Sequence, residues 1–146
     1  MKNAATLAML FSGALALTAA VPGQPSPESQ VRAVLDAQQA AWNKGDIEGF
    51  MAYYWKSDDL TFQSGNVRTH GWNDVLARYK KNYPPGTMGV LAFSDLAVRP
   101  LGPDAAFVLG RFKLDRGGSL AEGVFTLILR RTPEGWRIVH DHTSSK

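Results

Sequence analysis

The last segment of the sequence carries the residues best suited to chemistry, two histidines spaced two apart. His140 and His142 close the run Gly135–Thr143, and Trp136 and Ile138 precede them at the same spacing. Because a β-strand places alternate residues on one face, these four side chains are predicted to point together. An imidazole on an apolar face can act as a general base or acid near neutral pH, or donate a hydrogen bond to a bound carbonyl. A histidine that only satisfies a backbone carbonyl would give the same pattern.

Asp95 is the third candidate catalytic residue. If Pro100–Pro103 is a tight connection between strands, Asp95 lies on the same inner face as His140, about 14 Å away in a flat sheet. The two would then stand at opposite walls of a pocket, whereas a slip of one residue would turn Asp95 outward. A metal held by the two histidines would need a third ligand from Asp95, Asp58 or Asp59. We expect neither a metal nor a cofactor.

Two hairpins define the faces of the predicted sheet. Gly117-Gly118 as a two-residue turn pairs Gly110 with Phe125, and Thr132–Gly135 as a four-residue loop pairs Phe125 with His142. Both hairpins give one face that is apolar except for the two histidines. The opposite face is mixed and carries an apolar patch made of Phe107, Leu109, Val124, Ile128 and Val139. Such a patch indicates a subunit contact, or the scattered hydrophobic residues of an ordinary surface.

The elements that must position these residues can be read in chain order. Ser26 is a predicted N-cap for a helix that Gly45 stops, and Asp46 caps a second, shorter helix. A third helix is predicted to begin near His70-Gly71 and to end before Pro84. After a short strand at Leu60–Gln63, the rest of the chain is predicted to be strand, over Val90–Arg99, Ala105–Asp115, Ser119–Arg131 and Trp136–Thr143. Three helices followed by an antiparallel meander are typical of an α+β fold in which helices cover one face of a curved sheet.

Aromatic residues are numerous enough to wall an apolar pocket, although aromatics at helical spacing more often fill a core. The candidate ligand-binding residues are Trp42, Tyr54, Trp55, Phe62, Tyr79, Phe112 and Phe125.

The N-terminal residues have the composition of a secretory signal. Lys2 precedes an apolar run from Leu7 to Leu17, and Thr18-Ala19-Ala20 offers small residues for cleavage. The run is short for a membrane span, so residues 1–20 are predicted to be a cleaved signal peptide, with a retained anchor as the alternative. Residues 21–27 read as a linker and residues 28–146 as one domain. We therefore expect a secreted or periplasmic protein with no membrane contact after cleavage.

The net charge bears on the class of binding partner, and the cysteine content bears on how the fold is stabilised. The formal net charge is +3, and it falls to +2 when Lys2 is removed. That charge is too small and too dispersed to predict nucleic acid as a partner. The chain has no cysteine, so no disulfide framework supports it and its core must supply the stability.

Ala41–Asp46, followed by Phe50, Tyr54 and Asp58-Asp59, and the closing run Gly135–Ser144 together resemble the SnoaL-like group. That group belongs to the nuclear transport factor 2-like (ketosteroid isomerase-like) superfamily, and the resemblance spans residues 29 to 144. It implies a cystatin-like α+β fold. A curved antiparallel sheet, shaped as a cone, wraps a long N-terminal helix around a deep pocket, and the protein usually forms a dimer.

The chemistry of the ketosteroid isomerases does not carry over with the fold. The position of their aspartate base corresponds to Ser64, and that of their oxyanion-binding tyrosine to Gln38. Without a carboxylate base and a phenolic donor at those positions, enolisation of a ketosteroid by that route is not expected.

Two functions from different classes remain. The first is a homodimeric, exported protein that binds a small apolar or amphipathic molecule. If it is an enzyme, His140 would perform cofactor-free acid–base chemistry such as isomerisation, cyclisation, or addition or loss of water. The second is a non-catalytic interaction module that uses the outer face of the sheet. A pocket of roughly 300 Å³ or more would favour the first and a filled interior the second.

Overall fold

The structure is a computed structural model, and it describes residues 23–146. The predicted signal peptide lies outside the described residues. Within the described part of the chain there are three helices and six strands. In chain order they are α1 (Pro27–Asn43), α2 (Ile47–Met51), β1 (Thr61–Ser64), β2 (Val67–His70), α3 (Trp72–Asn82), β3 (Val90–Pro100), β4 (Ala105–Asp115), β5 (Leu120–Thr132) and β6 (Gly135–Ser145).

The helix boundaries follow the predicted caps. The Ser26 hydroxyl accepts a hydrogen bond from the Ser29 amide at 3.1 Å, and Pro27 occupies the first turn of α1. Gly45 follows the helix with a φ of 74°, a conformation that favours glycine. The Asp46 carboxylate then caps α2 by accepting from the Gly49 amide at 2.8 Å. The three predicted helices are therefore confirmed.

The six strands form one sheet in the order β2-β1-β6-β5-β4-β3, with α1 packed on its inner face. The sheet is mixed, because β1 runs parallel to β6 while all other neighbours are antiparallel. The expectation of a purely antiparallel sheet was wrong at this one junction. The short strand β2 was not predicted, since it is polar and largely exposed and has no apolar alternation. It pairs with β1 across a tight turn at Gly65.

The hairpin between β4 and β5 has the predicted register. Lys113 pairs with Glu122 and Gly110 with Phe125, so the Gly117-Gly118 turn is confirmed. Inward residues of these strands, such as Val108 and Leu129, are fully buried.

The hairpin between β5 and β6 keeps its predicted register only near the turn. Leu129 still pairs with Ile138, but Ile128 pairs with His140, so Val139 is the extra residue of a β-bulge. Because a shift of one residue turns every later side chain to the other face, the predicted pairing of Phe125 with His142 was wrong. Leu127 pairs instead with Asp141.

A second bulge lies in β3, between Ser94 and Ala97. Asp95 has a φ of 51° there and is exposed, and its carboxylate contacts the Arg111 guanidinium at 3.0 Å on the outer face. Asp95 therefore does not face the interior, contrary to the prediction. Across the connection Val98 pairs with Val108, where the predicted register places Asp95, and this shift of three residues, an odd number, reverses the face of Asp95.

The core lies between α1 and the inner face of the sheet, with buried residues from every strand except β2. No helix among residues 23–146 has the length and apolar character needed to cross a membrane.

Candidate active site

A cavity of about 180 Å³ lies between the three helices and the inner face of the sheet. It is smaller than the roughly 300 Å³ expected of a drug-sized site, but an apolar cavity of about 150 Å³ is enough to accept benzene. The predicted wall residues that line it are Trp42, Tyr54, Phe62, Tyr79, Phe112 and Phe125. Trp55 was also predicted here but does not line the cavity. Its backbone amide donates to the Ile138 carbonyl of β6.

The aromatic walls are held in place by edge-on contacts and by indole hydrogen bonds. The Tyr79 ring lies 5.3 Å from the Phe50 ring and 5.7 Å from the Phe62 ring, both nearly edge-on. The Trp42 indole N–H donates to the Met88 carbonyl at 3.2 Å, which ties α1 to the segment before β3. These contacts fix the shape of the cavity.

The three predicted catalytic residues lie outside this cavity. His142 is exposed on the outer face of the sheet. His140 is half-buried there, with its Nδ1 2.5 Å from the Thr61 hydroxyl. Partial burial, with the nearby charges of His142 and Arg68, lowers the pKa of His140. Asp95 faces outward at its bulge, so the structure brings none of the three together.

Asp141 is a buried acid, although strict alternation along β6 from His140 and His142 predicts that it lies on the outer face. It is 4% exposed and lines the cavity. The Tyr54 hydroxyl donates to its Oδ2 at 2.7 Å, and the Thr143 hydroxyl donates to its Oδ1 at 2.7 Å. The Tyr79 hydroxyl lies 3.4 Å from that of Tyr54, so two phenols and a carboxyl group form one chain.

Burial sets the protonation of this chain. Removal from water raises the pKa of Asp141 from 3.8 to about 6, although the hydrogen bonds from Tyr54 and Thr143 oppose the rise. Burial and the charge of Asp141 raise the pKa of both Tyr54 and Tyr79, which therefore stay protonated as donors. A carboxyl group that titrates near neutral pH can take up a proton and give it back.

Two connections bring Tyr54 to Asp141. The Ile138 amide donates to the Tyr53 carbonyl and the Trp55 amide donates to the Ile138 carbonyl, both at 2.9 Å. The segment after α2 is therefore paired with β6 just before the Val139 bulge, which places the Tyr54 ring over the inward side chain of Asp141.

The cavity has one polar end, where β1 and β6 finish side by side next to α3. Ser64 pairs with Thr143 at this end, and Ser145, Asn82 and Arg78 complete its lining. The Arg78 guanidinium lies over the Phe62 ring, 5.3 Å from its centroid. Ser64 and Gln38, to which the resemblance assigned the catalytic positions of ketosteroid isomerases, both line the cavity, and its carboxyl and phenol groups come from other positions.

Sequence reasoning missed Asp141 because strict alternation on β6 selects His140 and His142. With one extra residue at Val139, the inward set becomes Ile138, Asp141, Thr143 and Ser145. Nothing in the sequence of β6 marks the bulge. Residues 23–146 contain no cluster of acidic and histidine side chains suited to a metal ion.

The architecture and the cavity define a class of protein. A long helix packed on a curved, six-stranded mixed sheet, with a cavity between them, is the nuclear transport factor 2-like or cystatin-like fold. The chain belongs to the SnoaL-like domain family, whose profile matches residues 31–146. The predicted family and fold are thus confirmed.

Solved structures agree with this assignment. A nuclear transport factor 2-like protein of unknown function from Shewanella oneidensis MR-1 is 37% identical, with a TM-score of 0.78 over 81% of this chain and 98% of that one. A candidate dehydratase of the same fold family from Streptomyces avermitilis is 23% identical, with a TM-score of 0.66 over 80% and 94%. A cystatin-like domain from Nostoc punctiforme is 22% identical, with a TM-score of 0.68 over 82% and 76%. Among curated proteins none matches this chain.

Proposed function

We propose that this protein binds a small, mostly apolar molecule in its cavity and acts on it by cofactor-free acid–base chemistry, with Asp141 as the proton carrier. The observation that carries the proposal is a carboxyl group buried in an aromatic cavity and contacted by the Tyr54 hydroxyl. A buried ionisable group is costly to the fold, and such groups concentrate at functional sites. The reaction class is isomerisation, cyclisation, or addition or loss of water.

The expected division of labour follows from the protonation states. At neutral pH the Asp141 carboxylate, with a pKa of about 6, is ionised in most molecules and accepts a proton from the ligand. The Tyr54 hydroxyl donates to the Asp141 carboxylate and holds it in place, and the neutral phenol of Tyr79 donates a hydrogen bond to the ligand oxygen where charge develops. The carboxyl group then returns the same proton to another atom of the ligand, so no redox partner is required.

The test begins with the ligand. Mass spectrometry of small molecules that co-purify with the natively folded protein, followed by a thermal-shift screen of compounds with one ring, would supply one. Asp141→Asn, which keeps the size of the side chain but cannot accept a proton, is expected to abolish turnover. The matched control is Asp95→Asn, which alters an exposed acid on the outer face. Full turnover in Asp141→Asn would overturn the catalytic role.

The outer face of the sheet supports a second candidate function, self-association. Leu109, Val124 and Ile128 lie on adjacent strands and are 46%, 47% and 39% exposed. An apolar patch of this kind on a sheet face fits the isologous contact of a homodimer. Light scattering at micromolar concentration is expected to give a dimer that Leu109→Lys with Val124→Lys converts to monomer. A monomeric unsubstituted protein would contradict this proposal.

Export remains a proposal that rests on residues 1–20. N-terminal sequencing of the protein from the periplasm or the medium is expected to find cleavage after Ala20. A cytoplasmic chain that still begins at Met1 would refute it.

A further inference from the structure

The polar end of the cavity contains a guanidinium group without an acidic partner. Arg78 is half-buried, lines the cavity and lies over the Phe62 ring. The ion pairs found within residues 23–146 use other basic residues, so no carboxylate in the described chain neutralises it. Lys80, on the same helix, is bound by Glu48 at 2.6 Å on the surface. Arg78 is therefore a cation directed at the space where a ligand would lie.

We propose that the ligand is a compact carboxylic acid with one apolar ring and a hydrogen-bond donor at the end opposite its carboxylate. Arg78 binds the carboxylate at the polar end, the ring fills the aromatic part of the cavity, and the donor reaches Asp141. This inference rests on the proposed function, since it assigns a ligand class to the same cavity.

Electrostatics determines which end of the ligand lies where. The ionised Asp141 carboxylate repels an anion brought close to it, and water screens this repulsion little because Asp141 is buried. The Arg78 guanidinium attracts one and can bind both oxygens of a carboxylate at once. Among the described residues that line the cavity, Arg78 alone is basic, and one positive charge matches a monoanion. A phosphate dianion would leave one negative charge without a partner.

The strands set the length of the ligand. Arg78 lies against Phe62, which pairs with Asp141 across β1 and β6, so the guanidinium contacts the strand next to that of the carboxylate. Arg78 and Asp141 do not form an ion pair. The spacing of about 5 Å between neighbouring strands, added to the contact with the Phe62 ring, is spanned by one ring with at most a short side chain. The volume of about 180 Å³ suits a molecule of one ring with a short side chain.

The experiment uses a matched panel of probes on the mature chain. 4-Hydroxybenzoate, 4-hydroxyphenylacetate and 3-(4-hydroxyphenyl)propionate are titrated by calorimetry, each beside its primary amide, and binding in the cavity is checked by amide chemical shifts. At least one acid is expected to bind tenfold or more tightly than its amide. In Arg78→Gln that acid is expected to bind only as tightly as its amide. Arg78→Lys is expected to retain part of the preference for the acid.

Lys81→Gln is the control variant, because it removes the same charge from the same helix at an exposed position that does not line the cavity. It is expected to keep the full preference for the acid. If Arg78→Gln and Lys81→Gln lose the preference for the acid equally, the preference comes only from the long-range electrostatic field of the helix. That result would overturn the assignment of Arg78. Circular dichroism and a thermal melt of each variant confirm that it folds.

The outcomes separate this inference from the function beneath it. If acid and amide bind equally well and Asp141→Asn weakens both, the anionic ligand class is overturned and the proposed function stands. If no probe shifts the backbone amide resonances of the residues that line the cavity, the preference for an acid is overturned. If co-purification and the thermal-shift screen also yield no ligand, the proposed function falls with it.

Discussion

Replacing Asp141 by asparagine is expected to stabilise the protein at neutral pH. In the unfolded chain the carboxyl group titrates near its ordinary pKa of 3.8, and in the folded protein near 6. Because the folded state holds its proton more tightly, the stability of the protein falls as pH rises between these two values. At about 1.36 kcal/mol for each pKa unit, the difference of about 2.2 amounts to about 3 kcal/mol once pH is well above 6.

Asparagine removes this penalty without removing the side chain. It keeps an oxygen that can accept from the Tyr54 or the Thr143 hydroxyl, and the other hydroxyl can rotate to accept from the new amide. Any loss of hydrogen-bond energy is nearly independent of pH, whereas the ionisation penalty is not. The free energy of unfolding of Asp141→Asn, relative to the unsubstituted protein, is therefore expected to rise by about 2–3 kcal/mol between about pH 4 and about pH 7.5.

Urea unfolding followed by circular dichroism at those two pH values measures the difference. Asp95→Asn is the matched control, since Asp95 is exposed and its φ of 51° suits asparagine, and its relative stability is expected to change by less than about 1 kcal/mol with pH. A flat profile for Asp141→Asn would refute the burial argument. If Asp141→Asn instead loses stability relative to the unsubstituted protein as pH rises, then the Tyr54 phenol stabilises the carboxylate more than burial destabilises it.

Three further substitutions test other parts of the structure. Tyr54→Phe removes a donor to the Asp141 carboxylate, so the pKa of Asp141, measured by carboxyl carbon NMR, is expected to rise further. At pH values above that pKa the free energy of unfolding, measured in urea, is expected to fall by about 2 kcal/mol. His142→Ala, on the exposed outer face, is expected to leave ligand affinity unchanged and the free energy of unfolding within about 0.5 kcal/mol. Gly123→Ala places a methyl group against the Ser144 carbonyl, and the resulting strain is expected to lower the free energy of unfolding by about 1–3 kcal/mol in urea.

Each of these has a result that would contradict it. A lower pKa of Asp141 in Tyr54→Phe would contradict the first prediction. Its control is Tyr53→Phe, because Tyr53 does not line the cavity. Weakened binding in His142→Ala would return that histidine to the candidate site. An unchanged melting temperature in Gly123→Ala would mean that β5 and β6 can separate locally at little cost.

The elements of the fold could be predicted from the sequence because their signals are local. Ser26 and Asp46 bind the first turns of the helices that follow them, and the tight turn at Gly117-Gly118 fixes a register that continues along β4 and β5. The aromatic walls followed from the same periodicities, except for Trp55. These signals depend on neighbours a few residues apart, so they are present in the sequence itself.

The candidate site depended on contacts that no local pattern contains. Alternation along β6 predicts inward histidines, and only the bulge at Val139, which accompanies the curvature of the whole sheet, turns Asp141 inward. Its partner Tyr54 is 87 residues away in the chain. The register of β3 on β4, which turns Asp95 outward, is also fixed by pairing across the sheet and not by a local pattern. The sequence by itself thus determined the helices, most of the strands and the apolar cavity wall, whereas the tertiary structure alone decided which acid enters the cavity, because one extra residue in a strand reverses every side chain beyond it.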